Sequence, residues 1–146
     1  MIGYKIVNLI ELLEIQGEDF AKELLATFSC PLNRDVERFL HKNAILFARQ
    51  GISQTHLVFT SYRNAPVLIG YFTLANKHIH IPTKVLSNTQ RKRIAKFAIL
   101  DINMKAYCMT APLIAQLGKN FTNSYNKLIT GDELLAIACE KSKVYN

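Results

Sequence analysis

The stretch from Ala111 to Lys143 does most to limit what this chain can fold into. An apolar run, Ala111 to Leu117, stops at Gly118. A loop rich in Asn, Ser and Thr follows, and Thr130-Gly131-Asp132 then opens a run with Leu134, Leu135 and Ala138 at helical spacing. The order is strand, loop, helix start. A loop that leads into a helix N-terminus turns backbone N–H groups and the positive end of the helix dipole toward one point, where a phosphate can be received.

The upstream pattern supplies the rest of an α+β, or mixed α/β, domain. Ile6, Leu9, Ile10 and Leu13 are spaced as one face of a helix that Gly17 ends. Glu18 and Asp19 open a second helical run carrying Phe20, Leu24 and Leu25, and Cys30-Pro31 closes it. Asn33 or Asp35 can cap a third helix with Val36, Phe39, Leu40, Ala44 and Phe47 on one stripe and Gly51 as its stop. Thr55–Ser61 and Pro66–Ala75 read as two strands of an antiparallel hairpin around a short polar turn, the second strand buried. Gly70 inside that strand marks a bulge or a close backbone approach. Ser87 or Asn88 begins another helix, TQRKRIAKFAIL, and Asp101 to Thr110 is irregular. No repeat, low-complexity linker or boundary divides residues 1–146, so a single domain is expected.

Composition narrows the function classes. Of the 146 residues, 49% are hydrophobic and 20% charged, which is enough for a core and unlike a disordered chain. No apolar run is long enough to span a bilayer. The N-terminus has Glu11 and Glu14 inside its apolar stretch and lacks the basic start of a secretory signal, so the expected compartment is the cytoplasm. The three cysteines, Cys30, Cys108 and Cys139, are widely spaced and read as idle or buried thiols. A formal net charge of +7 suits nucleic acid, an anionic membrane or a phosphorylated ligand without choosing among them.

Single residues carry less. His41 falls on the polar back of its helix, where a solvated histidine is expected. His78 and His80 alternate with Ile79 and Ile81 and share one strand face; they lack a third metal ligand nearby, and no metal site is expected. Arg91, Lys92, Arg93 and Lys96 form a basic patch, read first as a solvated face and second as a phosphate or nucleic-acid contact. The sequence has no nucleophile elbow, phosphate loop or dinucleotide glycine fingerprint.

With those signatures missing, the last third carries a family likeness. Leu113-Ile114-Ala115-Gln116-Leu117-Gly118-Lys119-Asn120 resembles the fourth strand of the GCN5-related N-acetyltransferases, the GNAT superfamily. In that family a Q/R-x-x-G-x-G/A loop and a helix with a leucine pair come next. Here the matching run is Asn126 to Gly131, then Asp132-Glu133-Leu134-Leu135, with Asn126 in place of Gln or Arg and Ile129 in place of the first glycine. FSCPLNRDVERFL and THLVFTSYRNAPVLIGYFTLA resemble the toxin-like branch, so the likeness runs from about Phe28 to the end.

The resemblance implies acetyl-CoA as acyl donor and an amine as acceptor. It places the pantetheine arm on the backbone of Leu117, Gly118 and Lys119. The pyrophosphate falls on Asn126, Lys127, Leu128, Ile129, Thr130, Gly131 and Asp132, with Lys127 adding charge. It leaves the catalytic residues unassigned: His78, His80 and Glu37 are bases by type only, and Tyr145 lacks the context of the family's C-terminal tyrosine. Family members continue beyond this helix, so the expected fold is truncated after the cofactor helix, with an unpaired sheet edge that favours a homodimer. Two other classes stay open: a basic module for nucleic acid or protein, and a remnant of the fold without activity.

Overall fold

In the computed structural model the backbone is described from Gly3 to Tyr145 and side chains from Gly3 to Lys143; the Tyr145 side chain lies outside the described residues. These residues form two compact units, one of residues 3–75 and 114–145, the other of Asn76–Leu113.

The first unit is a sheet with helices on both faces. Its strands are β1 (Tyr4–Asn8), β2 (Gln54–Tyr62), the first part of β3 (Ala65–Pro82) and the last part of β5 (Ala106–Lys119), in the order β1-β2-β3-β5. The sequence reading of Ile6 as part of a helix face is overturned. Tyr4–Asn8 is a strand paired antiparallel with β2, from Tyr4 opposite Thr60 to Asn8 opposite His56. Helix α1 (Leu9–Gln16) starts one residue later because the Asn8 side chain accepts the Ile10 N–H, which fixes the switch from strand to helix. Gly17, at φ 86°, ends α1 and starts α2 (Glu18–Ala26). The expected third helix is two: Asn33 caps α3 (Arg34–Lys42) through the Val36 N–H, and the chain bends at Asn43 before α4 (Ala44–Arg49).

Both faces of the β2–β3 hairpin are buried, as its apolar run requires. One face packs Leu57, Leu68 and Tyr71 against Leu9, Leu13, Leu25, Phe28 and Leu40 from α1 to α3. The other packs Val58, Ile69, Phe72 and Leu74 against Leu134, Ile137 and Ala138 of α6 (Gly131–Tyr145). Leu68 and Tyr71 share a face although three residues apart. A register shift between Val58 and Phe59, opposite Leu68 and Gly70, inserts the extra residue that makes this possible. Gly70 also meets the other expectation: a Cβ there would lie 3.0 Å from the Gly118 carbonyl and 3.3 Å from Leu134. Arg63 and Asn64, both at positive φ, form the two-residue turn between the strands.

The second unit holds the far part of β3, which takes in His78 to Ile81, a short 3-10 turn at Thr83–Val85, α5 (Asn88–Ile94), β4 (Ile99–Asp101) and the start of β5, in the order β3-β5-β4. The expected basic helix is shorter than its sequence pattern. A capping box between Ser87 and Gln90 starts it, and the chain leaves the helix after Ile94 to reach β4. Residues 102–105 form the turn into β5, where Ile99 pairs with Cys108 and Asp101 with Ala106, so the stretch read as irregular, Asp101 to Thr110, is the end of β4, a tight turn and the start of β5.

Candidate functional site

The strand-loop-helix stretch is built as its sequence suggests, with a more ordered loop. Strand β5 ends at Lys119 and α6 begins at Gly131, with a 3-10 segment, Thr122–Leu128, between them. Asn123 and Ser124 adopt left-handed backbone angles that let the chain reverse there.

Asn120 fixes the loop to the body of the unit. It is 1% exposed. Its amide donates to the Leu68 carbonyl at 2.9 Å, and its side-chain oxygen accepts the N–H groups of Ser29 and Thr122 at 3.0 and 3.1 Å. Its backbone N–H bonds Ile69, and the Phe121 N–H bonds the Ser29 carbonyl. The sequence reading counted Asn120 among polar loop residues and missed this role; a buried Asn is not separable from a loop Asn by residue type.

The helix start is self-capped. The Thr130 hydroxyl accepts the Glu133 N–H at 3.0 Å and the Glu133 carboxylate accepts the Thr130 N–H at 2.9 Å. Glu133 also accepts the Tyr4 hydroxyl at 3.0 Å, which ties α6 to β1. The Thr130 N–H, then the Tyr4 hydroxyl, hold the Glu133 carboxyl below the usual carboxylate range. Burial, then the Glu133 contact, pushes the Tyr4 phenol up. A helix leaves its first N–H groups without intrahelical partners. With Thr130 and Glu133 met by the box, Gly131 and Asp132 are the open donors, and a Cβ on Gly131 would have nothing within 4 Å. That open space suits an anion, while Asp132 and Glu133 add negative charge beside it.

The proposed site residues therefore divide. Leu117, Gly118 and Lys119 lie together at the end of β5. Asn126, Lys127 and Leu128 are in the 3-10 segment, with Lys127 exposed; Thr130, Gly131 and Asp132 form the exposed helix start. Ile129 is 2% exposed and packs in the core beneath α6, so its side chain serves the fold. Gly118 is needed for packing as well: a Cβ there would lie 2.4 Å from Val36 Cγ1. Gly118→Ala is expected to destabilise the protein by about 1–3 kcal/mol through overpacking. Val36→Ala in the same chain is expected to restore part of the loss in urea unfolding, and no restoration would refute the clash.

Four other candidates resolve into separate places. Glu37 accepts the Cys30 N–H at 2.9 Å, and that bond first of all holds its carboxyl low, so it secures the start of α3. His41 is not simply solvated; its Nε2–H donates to the Phe28 carbonyl at 2.8 Å. His78 and His80 are in the second unit, where His80 Nδ1 lies 3.3 Å from Cys108 Sγ. A groove of about 650 Å³ in the first unit lies instead between β1, α1, α2 and the hairpin, lined in part by apolar residues such as Leu12, Phe20, Leu24 and Phe59.

No protein-family profile matches the sequence, and no curated protein does. Solved structures do. AtaT complexed with acetyl-methionyl-tRNAfMet superposes with a TM-score of 0.60 at 15% identity, over 97% of this chain and 68% of that one. A Tyr-to-Phe mutant of KacT gives 0.59 at 16% identity, over 96% and 69%. The fold is the GNAT fold that these structures share. A Tyr-to-Phe mutant of the AtaT toxin, at TM-score 0.52 and 17% identity, is matched over 81% of this chain and 57% of its own. The chain thus spans 57% to 69% of the length of these structures. Among the described residues no helix is long and apolar enough to cross a membrane.

Proposed function

We propose that this chain binds acetyl-CoA and serves N-acetyl transfer to an amine. The observation that carries the reading is the edge of β5. Strand β4 pairs with β5 only from Ala106 to Cys108. Among the described residues, the stretch Ile114–Lys119 thus has β3 on one side and no strand on the other, and it runs on to the open donors of Gly131 and Asp132. An amide-bearing pantetheine arm can bond such an edge as a strand would, with its pyrophosphate at the helix start. Lys119 and Lys127 supply the positive charge that offsets Asp132 and Glu133.

In the reaction the acceptor nitrogen bonds the thioester carbonyl carbon, the carbon–sulfur bond breaks, and the nitrogen loses a proton while the thiolate gains one. Much of the acceleration then comes from holding the two reactants together. AtaT is solved with an acetylated aminoacyl-tRNA; together with the +7 charge of this chain, that favours an amine carried on RNA as the acceptor. The unpaired β5 edge is also where a second copy would pair, so a homodimer through it would compete with acetyl-CoA.

Thermal unfolding with acetyl-CoA tests the proposal. Ligand at a hundred times its Kd stabilises by about 2.7 kcal/mol, which raises the Tm of a chain this size by roughly 5–10 °C. The shift is expected with acetyl-CoA and CoA, and Gly131→Trp, which fills the open space over the donors, is expected to abolish it. No shift at millimolar acetyl-CoA would favour the inactive-remnant reading.

A further inference from the structure

The charge of this protein is not spread evenly. Asn76–Leu113 contains seven Lys and Arg against one carboxylate, Asp101, so this short unit holds a formal +6 of the chain's +7. The first unit's cations Lys22, Arg38, Arg49 and Lys143 are in ion pairs with neighbouring acids. Among the described residues no cation of the second unit is in one. Arg91 is the exception to its freedom: its Nε and Nη2 both donate to the Thr83 carbonyl, at 3.2 and 2.7 Å, and brace the start of α5 on the preceding turn. Lys92, Arg93 and Lys96 are exposed, and Phe97, 63% exposed, follows them directly.

We propose that Asn76–Leu113 is an RNA-docking surface in which Lys92, Arg93 and Lys96 contact phosphates and Arg91 does not. Unpaired cations on exposed backbone match a partner with closely spaced negative charges, and each phosphate neutralised releases counterions. An exposed aromatic side chain beside them offers a face for base stacking. An anionic membrane is the poorer match. The three cations stand on or just after α5, NTQRKRI, whose one large apolar residue is Ile94, so this face offers a lipid interface little; the unit's exposed Val85, Ile99, Leu100, Ile102 and Met104 lie on other elements. The proposal deepens the acetyltransferase reading by locating the surface for an RNA-borne acceptor. Its test reads binding alone, so either reading can fail without the other.

The test is fluorescence anisotropy of the full chain with a labelled RNA hairpin and with bulk deacylated tRNA, from 50 to 200 mM salt. Changing Lys92, Arg93 and Lys96 to Gln together is expected to weaken binding at least tenfold at 150 mM salt and to reduce the log–log salt slope by about 2. The triple change at Lys5, Arg34 and Lys42, exposed cations of the first unit, is expected to leave both nearly unchanged. Equal losses in the two variants would overturn the proposal. So would tighter binding of phosphatidylserine vesicles or of polyglutamate than of RNA, which would assign the surface to a membrane or an acidic protein.

Discussion

Asn120→Ala is expected to lower the unfolding free energy by about 3–5 kcal/mol, the largest loss for a single polar side chain in this protein. The substitution removes three hydrogen bonds at once, to the Leu68 carbonyl and from the Ser29 and Thr122 N–H groups. The groups left behind are closed off, since Asn120 is 1% exposed. Each buried polar group left without a partner costs about 1–3 kcal/mol, and the cavity allows some relaxation. The three partners belong to β3, to the segment between α2 and α3, and to the loop itself, so no single local shift can re-pair them. Asn120→Asp retains the two acceptor contacts, and its protonated carboxyl can also donate to the Leu68 carbonyl. Its loss should therefore fall below that of the alanine variant at low pH and grow as pH rises and the buried carboxylate meets that carbonyl. Urea unfolding followed by circular dichroism measures both. A loss under 1 kcal/mol for Asn120→Ala would mean that water re-pairs these groups and that the loop is not anchored here.

Which parts of this fold the sequence reveals depends on how local the cause is. The β2–β3 hairpin was legible because β-branched and aromatic residues flank a turn whose Arg63 and Asn64 tolerate positive φ. Gly70 was legible as a special position, and the bulge and the Gly118 approach are both there. The helix start at Thr130 followed from Thr, Gly and Asp before a leucine pair, and the capping box with Glu133 agrees. Tyr4–Asn8 was misread because Ile6, Leu9, Ile10 and Leu13 fit a helical period by coincidence; what makes Ile6 part of a strand is the β2 edge, more than fifty residues away in sequence. In the candidate site, the strand end and the helix start were readable, while the roles of Ile129, Glu133 and Tyr4 rest on long-range contacts that residue spacing does not encode.

His56 should make the protein acid-sensitive over a defined window. It is 6% exposed, its ring stacks on Phe72 with centroids 5.0 Å apart, and its Nδ1 has no hydrogen-bond partner among the described residues. Burial, with a smaller contribution from Lys141, pulls its pKa from 6.5 down to about 4. The neutral ring is therefore the native form. Because the folded pKa lies below the unfolded one, the contribution is fully present above about pH 6.5. It is lost as pH falls through about 4, where the unfolded chain has already taken up its proton. A gap of this size corresponds to about 3 kcal/mol. His56→Phe keeps the stacking and removes both the titration and the unpaired nitrogen. The natural chain should lose stability relative to His56→Phe by about 3 kcal/mol between pH 7 and pH 4, while Lys141→Gln should move the midpoint of that loss to higher pH. A stability difference between the natural chain and His56→Phe that stays constant with pH would show that the ring is hydrated in the native state, and that the face of the sheet beneath α6 admits water.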